Sequence, residues 1–223
     1  MESYQQIINI IALTMGVAWA SGINLYAALL TLGVLGATGN MSLPPDLQIL
    51  AHPAVMAASG FMFLVEFLAD KAPGVDTGWD AIHTFIRIPG GALLAAGALG
   101  DVNPALSLAA AIIGGGIAAG SHLTKAGSRV LINASPEPFT NWAASLAEDA
   151  AAVAGIWVAL HHPWLFLALL TGFVLLAVWL LPKIWRGIQN LFRTLAGFFS
   201  GGSRVDEVGA PPTRPALPGR SAE

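Results

Sequence analysis

The sequence predicts an all-α, polytopic membrane protein of about six transmembrane helices, and three observations carry that expectation. The chain of 223 residues is 55% hydrophobic and only 10% charged, with a mean hydropathy of +0.68, whereas soluble domains carry roughly 25% charge. Six apolar segments of bilayer length alternate with turn-forming clusters. The Lys and Arg residues, 10 in all, fall toward the second loop, the fourth loop or the C-terminal tail, with Arg87 the deepest in a span.

The first segment, residues 7–35, carries a small-x-small Ala18-Trp19-Ala20 like a signal-peptide cleavage site. It has no Lys or Arg ahead of it and stays apolar beyond that site, so it reads as the first span. Gly39-Asn40 and Pro44-Pro45 punctuate the chain before the second segment, 53–69, and Pro73-Gly74 before the third, 78–99. Gly100-Asp101 precedes the fourth, 104–131; Ser135-Pro136-Glu137-Pro138 precedes the fifth, 139–160; and His161-His162-Pro163 opens the sixth, 163–181. Backbone amides in lipid need internal partners, and the period-two alternation of a closed barrel is missing, which leaves helices. In residues 183–199, Ile184, Ile188, Leu191, Leu195 and Phe198 recur at helical spacing between Lys183, Arg186, Gln189 and Arg193. That pattern predicts an amphipathic helix on the inner leaflet after a transmembrane bundle of residues 1–182. Residues 200–223, rich in Gly, Pro, Ser and scattered charge, read as a disordered cytoplasmic tail.

With six spans, the basic loops and tail share one side, which the positive-inside rule makes cytoplasmic, together with both termini. Trp19, Trp79, Trp142, Trp164, Trp179 and Trp185 mostly fall near the proposed span ends, as interface anchors do. Gly22-Ile23-Asn24-Leu25 lines up with Gly120-Ser121-His122-Leu123, each near small residues in an over-long span, and an acid-bearing span follows in each half. The expected plan is therefore two inverted three-helix repeats with broken helices. Ile88-Pro89-Gly90-Gly91 predicts a further break inside the third span.

Function is read from polar stripes inside the apolar segments. A charge in hydrocarbon costs at least a few kcal/mol, so such residues line a polar cavity or pair with one another. Asp80, His83 and Arg87 share one face of the third span at i, i+3 and i+7, and His122, Lys125 and Arg129 repeat that spacing on the fourth. Asn141, Ser145 and Glu148 form one face of the fifth span, with Asp149 expected to point elsewhere. Glu148 and Asp149 lie at a depth that suits the cations of the fourth span, which runs antiparallel. Glu66 and Asp70 lie four apart near the cytoplasmic end of the second span, and a carboxylate buried without enough partners exchanges protons nearer neutral pH. Asn24, beside the small residues of the first span, and Lys71 and Glu137, in the adjoining loops, complete the candidate set. The competing readings are a surface helix with His83 and Arg87 in headgroups, snorkelling of Lys125 and Arg129, and a static ion-pair network that locks the bundle.

The net charge of −3, without a long basic run, gives no footprint for nucleic acid. The absence of cysteine excludes disulfides, thiolate metal sites, iron–sulfur clusters and cysteine nucleophiles. Asp76, Asp80 and His83 supply hard oxygen and imidazole donors and are the candidate metal ligands. HExxH, Walker A, GxGxxG and GxSxG motifs are missing, and no cofactor is expected.

Gly22-Ile23-Asn24-Leu25-Tyr26-Ala27, Val65-Glu66-Phe67-Leu68-Ala69-Asp70-Lys71-Ala72-Pro73, Trp79-Asp80-Ala81-Ile82-His83-Thr84-Phe85-Ile86-Arg87, Lys125-Ala126-Gly127-Ser128-Arg129 and Ser135-Pro136-Glu137-Pro138-Phe139 together carry a family resemblance. Over residues 7–181 the chain resembles the bacterial integral-membrane family catalogued as domain of unknown function 4126. The resemblance implies a small polytopic domain in a bacterial inner membrane and transfers no activity. The favoured expectation is a small, proton-responsive secondary transporter or channel-like permease. Its expected substrate is a small anionic or zwitterionic molecule or a phosphate-bearing lipid, bound by Lys125 and Arg129, with Glu66, Glu148 or Asp149 as the proton-responsive group. A metal-dependent membrane enzyme acting on lipid headgroups and a scaffold without chemistry are the alternatives. Membrane lipids are the expected surroundings, and a homo-oligomer is left open.

Overall fold

A computed structural model describes residues 2–72, 74–134 and 138–200, and it contains six α-helices and no strand among them. The helices are α1 (Glu2–Ala37), α2 (Pro53–Ala69), α3 (Val75–Leu99), α4 (Pro104–Ile132), α5 (Pro138–His161) and α6 (Pro163–Ser200), with a 3-10 helix at Pro45–Ala51. Five of them are long and apolar enough to cross a membrane, and the 3-10 helix with α2, bent by 70°, makes a sixth, broken or re-entrant, span. The chain is a multi-pass membrane protein. Its outer surface carries large apolar side chains such as Phe61, Phe85, Leu93, Ile112, Leu175 and Val178, all exposed as hydrocarbon-facing residues are.

The bundle is one compact unit that ends at Ile188, and the described residues from Gln189 onward fall in a second. The segment expected as an amphipathic helix belongs to α6, which runs through Pro182 to Ser200 without interruption. The tail expected from residue 200 falls, from 201 onward, outside the described residues.

Helix α1 is the axis of the bundle, packed against α3, α4 and α5. It is interrupted once, at Asn24 (φ −147°, ψ 101°), whose Oδ1 accepts the Ala27 N–H at 2.9 Å. Extended backbone with a side-chain oxygen on the third amide beyond is N-cap geometry, so Asn24 begins a second half-helix inside the bundle. The other breaks expected from the sequence are absent: α3 continues through Pro89, and α4 runs unbroken past Gly116 and Gly120. A transmembrane helix tolerates a proline because neighbouring helices and polar side chains satisfy the backbone groups it frees.

Small residues bring α1, α3 and α4 together, as they do where helices pack in lipid. A Cβ at Gly22 would collide with the Ala118 carbonyl and Ser121 Oγ, and one at Gly91 with Ser21 Oγ and Ala118 Cβ. Helix α2 is attached differently. Of its 17 residues only Ser59 and Glu66 are buried, and it packs mainly along α1.

Candidate functional site

The stripes on α3 and α4 face each other across the bundle interior. Arg87, Arg129 and His122 are fully buried, and His83 and Lys125 are only 3% and 4% exposed. The surface-helix and snorkelling readings are thereby corrected: α3 is a span, and the cations point inward. Two carboxylates at the end of α2, Glu66 and Asp70, are also fully buried and meet them.

The Arg87 guanidinium donates to Glu66 Oε1 at 2.7 Å and to Asp80 Oδ1 at 2.9 Å. The Lys125 ammonium stands among four carboxylates: 2.8 Å from Asp70, 3.5 Å from Glu66, and 3.8 Å from both Asp80 and Glu148. Arg129 makes a bidentate pair with Glu148, at 3.2 and 2.6 Å, and donates to the backbone carbonyl and side-chain Oδ1 of Asn141. Glu148 is the one member of this network that reaches the surface, with 18% of its side chain exposed.

Three cations (Arg87, Lys125, Arg129) therefore meet four carboxylates (Glu66, Asp70, Asp80, Glu148), a formal surplus of one negative charge. Glu66 Oε2, Asp70 Oδ1 and Asp80 Oδ2 are buried without a hydrogen-bond partner. His122 does not cancel the surplus. Arg87 is purely a donor and lies 3.1 Å from His122 Nδ1, so that nitrogen is unprotonated and Nε2 donates to Thr84 Oγ1 at 2.7 Å. His83 Nδ1 donates to the Trp79 carbonyl at 2.9 Å, and its Nε2 shares a hydrogen bond with Tyr26 Oη at 3.2 Å.

The break in α1 adjoins this centre. Asn24 Nδ2 donates to Asp149 Oδ1 at 2.9 Å, while Asp149 Oδ2 is buried without a partner. A carboxylate thus lies beside the residue that opens a half-helix, where the N-terminal end of the helix dipole favours negative charge. The expectation that Asp149 points away from the α5 stripe is corrected: Asn141, Ser145 and Asp149 are buried along it, and Glu148 flanks it to reach Arg129. Replacing Asn24 with Ala removes both the cap and the donor to Asp149. The expected loss is about 1–2 kcal/mol, read as a lower melting temperature in detergent; an unchanged melt would mean that the cap carries no stability.

Other candidates stand apart from the centre. Lys71 lies on the turn after α2, donating to the Phe67 carbonyl at 3.1 Å with its ammonium over the Phe67 ring, and burial pushes it below the ordinary lysine range. Asp76 accepts from Asn133 Nδ2 at 2.7 and 2.9 Å and ties the start of α3 to the end of α4. Glu137 lies outside the described residues. Asp76, Asp80 and His83 do not converge as ligands, and among the described residues no three His, Asp or Glu side chains form a group able to hold a metal ion.

Sequence reasoning missed Tyr26, Thr84 and Asn133, which fix His83, His122 and Asp76. Tyr26 lies two residues beyond Asn24 and Thr84 one beyond His83, but a single uncharged polar group in a span gives no signal of its partner. A family model described as Domain of unknown function (DUF4126) matches residues 11–183. No curated protein and no solved structure matches the chain.

Proposed function

We propose that this chain, which belongs to the family described as Domain of unknown function (DUF4126), is a small secondary permease whose buried ionic centre takes up and releases a proton as it works. One observation carries the reading: four carboxylates against three cations, gathered between α2, α3, α4 and α5 beside the interrupted α1. A surplus charge enclosed in a bilayer is costly, and one proton neutralises it. Interrupted helices beside intramembrane charges are the architecture of many secondary transporters. The wider setting we propose is the bacterial inner membrane, with both termini cytoplasmic and the two halves of the bundle forming an inverted repeat. Lys125 and Arg129 are each engaged by carboxylates, so the geometry favours a proton-linked role over capture of an anion.

The test is a pH step applied to proteoliposomes on a solid-supported membrane. The reading predicts a transient current from proton uptake even without substrate, and its loss in the Glu66→Gln/Glu148→Gln variant. A correctly folded protein giving no current, or an undiminished current in the variant, would refute it.

A scaffold is the second reading, supported by the fact that every cation of the centre is ion-paired. It predicts that exchanging Arg129 and Glu148 between their positions preserves function, because only the pair would matter. A proton-exchanging centre fails on that exchange, since Glu148 is its link to the surface.

A further inference from the structure

Asp149 is a carboxylate within a span that makes no ion pair among the described residues. Lys125, Lys71 and Asp70 act on it only through longer-range electrostatics. Its Oδ1 accepts from Asn24 Nδ2 at 2.9 Å, but its Oδ2 is buried without a partner. One helical turn earlier on α5, the Ser145 hydroxyl is also buried without a partner. Ser145, Asp149, Ala152 and Ile156 follow one another at helical spacing, and the last two pack in the apolar core with Val17 and Ala20 of α1. The two unpaired groups therefore face α1, and Asp149 does so at the break. The first half of α1 ends there, so the carbonyls of its last turn lose their helical donors.

We propose that Asp149 Oδ2, Ser145 Oγ and backbone carbonyls at the α1 break hold a small monovalent metal cation, sodium. Residues one helical turn apart have Cβ atoms about 5–6 Å from each other, and these two oxygens do not hydrogen-bond, so an ion fits between them. Carboxylate, hydroxyl and carbonyl oxygens are the donors a hard cation takes. Charge sets the valence: one unpaired carboxylate is neutralised by a monovalent ion, whereas a divalent one would leave a positive charge inside the span. The C-terminal end of a half-helix and its unwound carbonyls coordinate sodium in secondary transporters with broken helices. Ser145 and Asn24 are fully buried and Asp149 is 8% exposed, so the ion enters past the carboxylate. The assignment goes beyond the permease reading and does not depend on it, because Asp149 is not one of the four carboxylates of the ionic centre.

Binding of radioactive sodium to the purified full-length protein in detergent, with N-methylglucamine holding the ionic strength constant, tests the site. Saturable binding displaced by unlabelled sodium is expected, together with a melting temperature that rises with sodium. Asp149→Asn keeps an oxygen for Asn24 but removes the charge, and is expected to weaken sodium binding about tenfold or more. Ser145→Ala removes a hydroxyl that makes no hydrogen bond. It is expected to weaken binding severalfold while melting like the native protein in the absence of sodium. A folded protein that binds no sodium would mean that ordered water satisfies these oxygens, and overturns the proposal. Binding unchanged in both variants overturns it too. So does binding lost in Glu66→Gln but kept in Asp149→Asn, which would place the ion among the four carboxylates instead.

Discussion

Arg87→Met is expected to destabilise the protein by about 3–5 kcal/mol, the cost of breaking a buried ion pair from one side. Arg87 holds Glu66 at 2.7 Å and Asp80 at 2.9 Å, and neither carboxylate is more than 1% exposed. Without the guanidinium the centre carries a second surplus negative charge, and α2 loses one of its two buried anchoring positions. The methionine fills a similar volume, so the loss reports charge rather than a cavity. Adding Glu66→Gln to Arg87→Met returns the surplus to that of the native protein and is expected to recover a large part of the loss. Melting in detergent and yield from the membrane measure both effects. A single variant that melts like the native protein would place Arg87 at the periphery of the bundle.

Gly22→Val is expected to cost about 1–3 kcal/mol or more through overpacking. A Cβ there meets the Ala118 backbone carbonyl, which cannot rotate away as a side chain can. Helices α1 and α4 would have to part, and the Ser121 hydroxyl would lose its 3.0 Å bond to the Trp19 carbonyl. Gly120 is the control, because a Cβ at that position meets nothing within 4 Å. Gly120→Ala is accordingly expected to stay within about 0.5 kcal/mol of the native protein. Equal effects at the two glycines would contradict the close crossing of α1 and α4.

The helices were legible because the length of a span is set by the bilayer. The segment 53–69 coincides with α2, and 104–131 falls one residue short of α4. The helix interruptions were less legible. Pro89 and Pro182 are strong breakers in water, yet both lie within continuous helices, while the real interruption falls at Asn24, where a capping side chain substitutes for the lost helical bond.

Charged residues of the centre could be picked out because charge in hydrocarbon demands partners, but the pairing was legible only in part. Glu148 was foreseen as a partner of the α4 cations and pairs with Arg129 at 2.6 Å, whereas the nearest carboxylate to Lys125 is Asp70 beside α2. Depth in the membrane offers a partner on every neighbouring helix, and rotation about each helix axis decides among them. That rotation follows from close contacts at Gly22, Gly91 and Ala118, which carry no charge pattern. On α5, Ser145 is followed by Glu148 three residues on and Asp149 four on. Both spacings keep to one helical face, so the sequence could not choose which acid lies on the buried stripe.

The central claim is that a surplus carboxylate inside the bundle binds a proton. Infrared difference spectroscopy of the protein in lipid, between alkaline and acidic pH, observes it directly. A protonated-carboxyl band shielded from bulk water, diminished or shifted in Glu66→Gln, is the predicted result. A spectrum without such a band, or with a band indifferent to every substitution at Glu66, Asp70, Asp80 and Glu148, would contradict it.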